Sequence, residues 1–458
     1  MGEGNRLEII ILAAGQGSRM RSSKPKVLHT LAGKPLLAHV IETARSLKPD
    51  AIHVVVGHGA ETVKAATHGQ DLTFHYQAEQ QGTGHAVACA LPSCHRDATV
   101  LVLFGDVPLM SSTTLARLLE ENPAHPTMLA ACLDDPAGYG RVLRDENGGF
   151  AAVVEQADAN ERQDAVKEVN TGVLAAPAQL LSTLLALVSN DNAQGEYYLP
   201  DSLALAVGQG IPVGIVVTDD PCEIAGVNDR IQLEALERDF QLRCADALMR
   251  AGVAITDRRR VDIRGDLQCG RDVAIDINAV FEGRVILEDG VRIGANCFLK
   301  DVVVGANTEV QPFCHIEGAS IGVGCRIGPY ARLRPGTELA ETARVGNFVE
   351  TKNTVLGSGS KANHLAYLGD TRVGEKSNIG AGTITCNYDG VNKHPTTLGA
   401  GVFVGSNSTL VAPVTLADRA FVAAGSVVTD DVPEENLAVG RSRQRNVSGW
   451  KPPGSGEG

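Results

Sequence analysis

The chain has 458 residues, 43% of them hydrophobic and 21% charged, which is typical of a soluble protein with more than one domain. Its net charge of −13 excludes a general nucleic-acid binder, because such a protein needs a basic face. No apolar stretch approaches the roughly 20 residues that span a bilayer, and the first residues carry no secretory signal. We therefore expect a cytoplasmic protein without membrane insertion, whose ten scattered cysteines are reduced.

In the first 230 residues, short apolar runs alternate with candidate helices. The pattern predicts strands over 7–14, 52–56, 100–104 and 211–217, and helices over 36–46 and 113–121. Alternation of this kind is typical of an α/β domain, in which helices cover both faces of a mainly parallel, Rossmann-like sheet.

A glycine-rich turn, LAAGQGSRM over residues 12–20, follows the first predicted strand, and a Lys-Pro-Lys segment ends at Lys26. Backbone amides in such a turn can approach phosphate oxygens closely, and Arg19 and Lys26 add positive charge there. Met20 replaces the third glycine of a dinucleotide-binding fingerprint. The turn and the Pro-Lys pair together resemble the sugar-nucleotide pyrophosphorylases, which transfer a nucleotidyl group from an NTP to a sugar 1-phosphate.

Segments at 77–85, 104–106, 138–141, 154–155, 170–172 and 226–228 match that family in the same order. The resemblance implies a site for UTP and UDP-N-acetylglucosamine, with catalytic roles for Arg19 and Lys26. It also implies Mg²⁺ as a cofactor, held by Asp106 and Asn228. From the residues alone, Asn228 could instead be the N-cap of the next helix. The implied nucleotide-site residues are Leu12, Ala13, Ala14, Gly15, Lys26, Gln77, Gly82, Thr83, Phe104, Gly105, Asp106, Gly140, Glu155, Asn170 and Asn228.

A long amphipathic helix is predicted over 231–251, because apolar residues recur at helical spacing until Gly252. We interpret it as a linker between an N-terminal domain, 1–230, and a C-terminal domain, 252–458. The residues of its apolar stripe are Ile231, Leu236, Phe240, Cys244 and Leu248.

From about residue 263, an aliphatic or aromatic residue recurs at every sixth position, as in hexapeptide parallel β-helices, where three repeats complete a triangular coil. Six consecutive matches in one register argue against a β-sandwich with chance spacing. Segment 386–397 interrupts this rhythm and predicts a projecting, functional loop. The repeating residues are Ile275, Phe281, Leu287, Ile293 and Leu299; Val304, Val310 and Ile316; Ile321, Ile327, Leu333, Leu339 and Val345; and Leu398, Val404, Leu410, Leu416, Val422 and Val428.

The segments RLRPG (332–336), GNFVETK (346–352), ANHLAYLGD (362–370) and NIGAGT (378–383) lie within these repeats. With Asn387 and Tyr388, they resemble the acetyltransferase half of the bifunctional bacterial enzymes that make UDP-N-acetylglucosamine. The resemblance implies a left-handed β-helix, a homotrimer, and acetyl-CoA as co-substrate. His364 would be the general base of acetyl transfer, because imidazole titrates near neutral pH. Glucosamine 1-phosphate is assigned to Arg334, Lys352, Tyr367 and Asn378, and acetyl-CoA to Ala381, Asn387, Tyr388, Ser406, Ala424 and Arg441.

The whole chain thus resembles an enzyme that acetylates glucosamine 1-phosphate and then transfers UMP from UTP to the product, releasing pyrophosphate. UDP-N-acetylglucosamine would feed peptidoglycan and lipopolysaccharide synthesis. One alternative is a single-function sugar-nucleotide pyrophosphorylase with a structural β-helix, which would not need His364, Tyr367 and Asn387. Another is a solenoid binding protein with a degenerate N-terminal domain, which the intact Arg19, Lys26 and Asp106 disfavour.

Overall fold

In the computed structural model, which describes residues 6–67, 69, 71–121 and 124–452, the chain divides into two units within its longest helix. The first unit ends at Phe240 and the second begins at Gln241. Among the described residues, no helix combines the length and the apolar character needed to cross a bilayer.

The first unit contains a mainly parallel sheet and its covering helices. Its strands are β1 (Leu7–Ala13), β2 (Thr30–Leu31), β3 (Lys34–Pro35), β4 (Ala51–Val56), β5 (Leu72–Tyr76), β6 (Thr99–Phe104), β7 (Thr127–Cys132), β8 (Arg141–Arg144), β9 (Phe150–Val154), β10 (Glu168–Pro177) and β11 (Gly214–Thr218). Its helices are α1 (Leu36–Ser46), α2 (Ala60–Ala66), α3 (Thr83–Ala90), α4 (Ser112–Glu121), α5 (Glu161–Asp164), α6 (Ala178–Leu185) and α7 (Asp201–Gly208), and α8 (Arg230–Arg250) follows. Short 3-10 turns lie at Ser18–Met20, Lys26–Leu28, Leu91–Ser93, Gln156–Asp158 and Pro221–Ile224.

The main path of this sheet runs β11-β7-β10-β6-β1-β4-β5, and the β8–β9 hairpin joins at β10. Strand β1 is parallel to β4 and β6, whereas β10 is antiparallel to both of its neighbours. Alternate residues of β1 enter two hydrophobic clusters, Ile9 in one and Ile10 in the other, so both faces are covered. The predicted α/β domain is confirmed. Its site is expected where parallel strands such as β1 and β6 end.

The strand predicted over 211–217 begins later than expected, at Gly214. The backbone N–H of Ile211 donates to the carbonyl of Ala206 and so completes the end of α7. Pro212 then has no N–H to offer a neighbouring strand.

Helix α8 confirms the predicted long helix, but its apolar stripe is divided between two cores. Leu236 packs in a cluster of the first unit, and Ala245 in the core of the second. The assignment of Ile231 to the stripe is wrong, because this residue lies in the first turn and is 80% exposed. Gln241 is buried, and its side-chain amide donates to the carbonyl of Ile263 (2.9 Å) and accepts from the Ile263 N–H (2.7 Å).

The second unit is a parallel solenoid of short strands. They are β12 (Ala254–Ile255), β13 (Val261–Cys269), β14 (Ala274–Ile275), β15 (Ala279–Leu287), β16 (Arg292–Ile293), β17 (Phe298–Val304), β18 (Glu309–Val310), β19 (His315–Glu317), β20 (Ala319–Ile321), β21 (Arg326–Ile327), β22 (Arg332–Leu333), β23 (Thr337–Leu339), β24 (Arg344–Lys352), β25 (Val355–Leu356), β26 (Lys361–Gly369), β27 (Thr371–Val373), β28 (Asn378–Ile379), β29 (Ile384–Cys386), β30 (Thr396–Leu398), β31 (Phe403–Val404), β32 (Thr409–Val411), β33 (Val414–Leu416), β34 (Phe421–Val422), β35 (Val427–Val428) and β36 (Leu437–Ala438). A 3-10 turn lies at Arg258–Arg260.

Strands of this solenoid pair in parallel with equivalent strands one coil away, as Ile275 does with Ile293 and Val404 with Val422. Every residue of the predicted six-residue repeat is at most 5% exposed. The aliphatic side chains therefore stack inside the coils, and the predicted β-helix of hexapeptide repeats is confirmed.

The interruption at 386–397 lengthens one coil. Thr371 pairs with Thr396 one coil further on, and Thr396 pairs in turn with Val414. The coil from 371 to 396, which contains the insertion, is therefore longer than the coil from 396 to 414. Tyr388 and Lys393 form an antiparallel bridge, and Val391 at the tip is 83% exposed. The predicted projecting loop is confirmed.

Three aromatic side chains on successive coils form an exposed stack, the aromatic column: Phe313, Tyr330 and Phe348. Ring centroids are 4.8 Å apart for Phe313 and Tyr330, and 5.5 Å apart for Tyr330 and Phe348. The three residues are 48%, 48% and 57% exposed, and Leu365 in the next coil is 61% exposed. The solenoid thus presents a continuous apolar ridge.

Candidate active sites

The glycine-rich turn after β1 lies against Lys26. Gly17 has a left-handed backbone (φ 64°), and a Cβ placed on it would come within 2.6 Å of the Lys26 Cβ. A side chain at position 17 would therefore push the turn away from the lysine. Met20 is 1% exposed and packs with Val227 and Leu236. This methionine anchors the turn in the core.

A cluster of charged and amide groups forms at this turn. The Lys26 ammonium pairs with Asp106 Oδ2 and donates to Asn228 Oδ1 (3.2 Å). Arg19 also donates to Asn228 Oδ1, at 3.1 Å. The N-cap alternative for Asn228 is wrong, because the Asp229 carboxylate accepts from the backbone amides of the first turn of α8. The Asn228 oxygen instead faces the cations.

Lys26 and Asp106 of this cluster line a cleft of about 230 Å³ in the first unit. The sequence predicted most of its lining and missed Val27, Gln80, Ala86 and Glu196. The predicted residues that line it are Leu12, Ala13, Ala14, Gly15, Lys26, Gln77, Gly82, Thr83, Phe104 and Asp106. Gly105 follows β6, where its N–H donates to the Leu12 carbonyl at 2.9 Å.

Gln77 is held rigidly at one wall of this cleft. It is 3% exposed, and its Nε2 lies 3.2 Å from the Gly82 carbonyl and 3.1 Å from His85 Nδ1. A Cβ on Gly82 (φ 107°) would come within 2.6 Å of the Tyr197 carbonyl. Only glycine fits at position 82, because the chain there lies so close to Tyr197. This close approach lets helix α3 begin at Thr83, on the wall of the cleft.

The residues predicted to hold the sugar gather beside the cleft. The Asn170 N–H donates to the Gly140 carbonyl (2.8 Å), and a Cβ on Gly140 would come within 2.9 Å of Glu155 Oε1. Burial raises the pKa of Glu155, and the nearby Asp201 and Asp158 raise it further. A carboxylate accepts hydrogen bonds, so Glu155 is suited to bind sugar hydroxyl groups.

His364, the predicted base of the second site, lies on β26 beside Asn347 of β24. The two residues pair across neighbouring coils, and His364 Nδ1 is 3.0 Å from Asn347 Oδ1. An amide oxygen in this position accepts from a protonated Nδ1, and in that tautomer Nε2 keeps its lone pair. His364 is exposed, so Nε2 is accessible to a substrate.

Positive side chains gather around Lys352, which ends β24, the strand that also contains Asn347. The pKa of Lys352 is lowered by its hydrogen bond to Lys393, by the charge of Lys393, and by the charge of Arg334. Arg334 donates to Glu350 at 2.9 Å. Cations gathered in this way favour an anion between them, so a phosphate group suits this cluster.

Asp370 connects this cluster to the insertion. Burial alone would raise the pKa of Asp370. Hydrogen bonds from Asn353 and Asn387, together with the nearby lysines, nevertheless hold this pKa below its ordinary value. A Cβ on Gly369 would come within 2.5 Å of the Tyr367 hydroxyl and 2.8 Å of Asn387 Nδ2. Gly369 therefore leaves the space in which Tyr367 and Asn387 meet.

Most of the predicted acetyl-CoA residues lie in one column of turns. Ile379 pairs with Val404, and Val404 with Val422. The residue two positions after each of these paired residues belongs to the column. These residues are Ala381, Ser406 and Ala424. Arg441 extends it, since its Cδ lies 3.9 Å from a Cβ placed on Gly425. Asn378 precedes the column on β28, and Tyr388 lies in the projecting loop, where it is 60% exposed.

The sequence analysis missed four polar residues of the second site: Asn347, Glu350, Asp370 and Lys393. A signal existed for two of them, because Asn347 and His364 are 17 residues apart, as are Asp370 and Asn387. That separation is one coil of the solenoid, so polar residues spaced by a coil become neighbours.

Residues 9–199 match the family model described as MobA-like NTP transferase domain, and 395–430 match the hexapeptide repeat of succinyl-transferase. Over 448 residues, the chain is 55% identical to the bifunctional protein GlmU of Stutzerimonas stutzeri, covering 98% of this chain and 99% of that protein. The GlmU proteins of Pseudomonas putida and Marinobacter nauticus are 54% and 52% identical over 448 residues. These two alignments cover 98% of this chain, and 98% and 99% of the respective relatives.

Proposed function

This chain belongs to the family of bifunctional GlmU proteins, and on that premise we propose which residues carry each of its two reactions. It is a transferase with two activities. It acetylates glucosamine 1-phosphate with acetyl-CoA, and it transfers UMP from UTP to N-acetylglucosamine 1-phosphate with release of pyrophosphate. The product enters cell-wall synthesis. The observation that carries the assignment is that each unit gathers a cluster of cations beside the groups its own reaction requires.

Uridylyl transfer occurs in the cleft of the first unit. The amides of the glycine-rich turn bind the UTP phosphates, and Arg19 and Lys26 neutralise charge as the sugar phosphate oxygen attacks the α-phosphorus in line. The P–O bond to pyrophosphate breaks, and UDP-N-acetylglucosamine forms without a covalent enzyme intermediate. Gln77, Gly82 and Thr83 hold the uracil, while Gly140, Glu155 and Asn170 hold the sugar.

Asp106 and Asn228 supply the ligands for Mg²⁺. Their side-chain oxygens converge on one cation, the Lys26 ammonium, so they have the arrangement and the hard oxygen chemistry that suit this ion. Bound Mg²⁺ supplies charge neutralisation at the triphosphate. Asp106 follows β6, and the Val227 N–H donates to its carbonyl at 3.0 Å, which keeps the two ligand segments together.

Acetyl transfer occurs on the solenoid. Arg334 and Lys352 bind the phosphate, and Tyr367 and Asn378 orient the sugar. His364 Nε2 accepts a proton from the amine, whose nitrogen attacks the thioester carbonyl. The C–S bond breaks and coenzyme A leaves, taking up a proton on sulfur. Ala381, Asn387, Tyr388, Ser406, Ala424 and Arg441 line the acetyl-CoA groove.

We also propose a cytoplasmic homotrimer that assembles through the β-helices. The aromatic column supports this assembly, because it is an exposed apolar ridge and such ridges mark interaction surfaces. Phe348 and Leu365 each follow a residue of the exposed Asn347–His364 pair. A neighbouring chain on this ridge would supply a second wall for acetyl-CoA. The catalytic domains are 1–230 and 252–458, joined by the helix 231–251.

The test is a paired assay on the purified full chain. Glucosamine 1-phosphate and acetyl-CoA should release coenzyme A. In a separate reaction, N-acetylglucosamine 1-phosphate, UTP and Mg²⁺ should release pyrophosphate and yield UDP-N-acetylglucosamine. Pyrophosphate release without any acetyl transfer would identify a single-function pyrophosphorylase, and neither activity would identify a binding protein.

A further inference from the structure

A second polar cluster of the first unit lies outside the nucleotide cleft. Glu8 of β1 and His53 of β4 are 5% and 3% exposed, and Cys94 follows the turn Leu91–Ser93 as a half-buried residue. The Glu8 carboxylate, a ring nitrogen of His53 and the Cys94 sulfur all lie within 4.8 Å of one another. The proposed reactions use none of these groups.

The separations suit a tetrahedral metal ion. His53 Nε2 is 3.2 Å from Glu8 Oε2. Zinc bonds of about 2.0–2.1 Å to nitrogen and oxygen, and about 2.3 Å to sulfur, place neighbouring ligand atoms roughly 3.3–3.6 Å apart. The carboxylate and imidazole are already close to that separation, and the Cys94 sulfur, within 4.8 Å of both, would have to move by at most about 1.5 Å to reach it.

The surroundings of the three groups also fit a cation. The buried Glu8 carboxylate contacts His53 Nε2 and accepts from the His95 N–H at 3.2 and 3.3 Å, but a buried carboxylate is costly without positive charge. His53 Nδ1 is 3.0 Å from His75 Nε2 of β5, so the other ring nitrogen is already engaged. Metal-bound histidines usually have such an outer hydrogen bond, which orients the ring.

We propose that Glu8, His53 and Cys94 form a binding site for a borderline-soft divalent cation of the Zn²⁺ class, with His75 as a positioning residue. A mixed oxygen, nitrogen and sulfur set favours Zn²⁺ over Mg²⁺. The Cys94 thiol gives its proton to solvent as the sulfur–metal bond forms. The ion would join β1, β4 and the segment after α3, and would stabilise the first unit.

The test uses the full chain, stripped with a chelator and titrated with Co²⁺ in excess Mg²⁺. A near-ultraviolet thiolate-to-cobalt band and strong tetrahedral d–d bands should saturate at about one ion per chain, and Zn²⁺ should abolish them. Cys94→Ser should lose the thiolate band. Its hydroxyl can donate to the Ala90 carbonyl as the thiol does, so this variant should fold. Cys89→Ser, at another half-buried cysteine, should keep the band.

A second measurement is the thermal unfolding midpoint of the first unit's transition with and without Zn²⁺. Zn²⁺ should raise it in the wild type and in Cys89→Ser, but not in Cys94→Ser. Absence of the thiolate band in the wild type, or its persistence in Cys94→Ser, would overturn the proposal. Glu8, His53 and Cys94 would then be a hydrogen-bonded network without a metal.

Discussion

The two candidate sites are built in opposite ways. In the first unit, Arg19 and Lys26 reach Asn228 across 209 and 202 residues of sequence, and Lys26 lines a cleft within that unit. In the second, Asn347 and His364 are 17 residues apart, and His364 is exposed on a ridge of the solenoid. An α/β fold therefore encloses its ligand with distant segments, whereas a β-helix arranges a row of side chains and leaves one side open. We expect the first site to work in a single chain and the second to need a neighbour.

The largest effect should come from His364→Ala. Loss of a general base lowers a rate by about 10²–10⁴-fold, so acetyl transfer should fall by that factor while uridylyl transfer is unchanged. Separate assays of coenzyme A and pyrophosphate release measure this. His315→Ala, at another exposed histidine of the solenoid, is the matched control. An Ala variant that keeps most of its acetyl transfer would refute the proton-abstraction role.

Asp106→Ala is the reciprocal change. Removing a group that stabilises transition-state charge costs about 10²–10³-fold, so uridylyl transfer should become almost undetectable and acetyl transfer should persist. Chelation of Mg²⁺ should have the same selective effect. Asp97→Ala, at an exposed carboxylate of the same unit, is the control. Pyrophosphate release that survives chelation would contradict the metal role.

The double variant Tyr330→Glu/Phe348→Glu tests the dependence on a neighbour. An aromatic anchor at an interface contributes about 2 kcal/mol or more, so charges in the aromatic column should dissociate the assembly. Light scattering should change from about three times 48.1 kDa to one chain. Acetyl transfer should decline with it, and uridylyl transfer should not. Val303→Glu, an exposed solenoid position outside the column, is the control; a monomer with full acetyl transfer would exclude the shared groove.

Asn347→Ala should have the smallest effect. The hydrogen bond that orients His364 is worth about 0.5–1.5 kcal/mol net, so kcat for acetyl transfer should fall about three- to tenfold. The KM values should be unchanged, because Asn347 positions the base and binds no substrate. Asn347→Asp keeps an acceptor and should restore the rate. A rise in KM without a fall in kcat would show that Asn347 contacts a substrate.

The solenoid was more predictable from sequence than the first unit, for a physical reason. In a β-helix the repeat fixes which residues are inside, and the buried series from Ile275 to Val428 shows this. In the first unit, the pattern predicted β1 and α1 but could not predict that Asp229, and not Asn228, caps α8. Helical spacing also suggested a single stripe that includes Ile231, because periodicity cannot reveal that a helix packs on two cores.

The pairing of Gln241 with Ile263 has a consequence for dividing the chain. Strand β13 belongs to the first coil and pairs with β15 on one side, while the Gln241 amide occupies the N–H and C=O of Ile263 on its other side. Open sheet ends are templates for aggregation, and solenoids need caps. A fragment beginning at residue 252 would remove this cap and leave a self-associating end. A fragment that begins before Gln241 would keep this end of the solenoid capped.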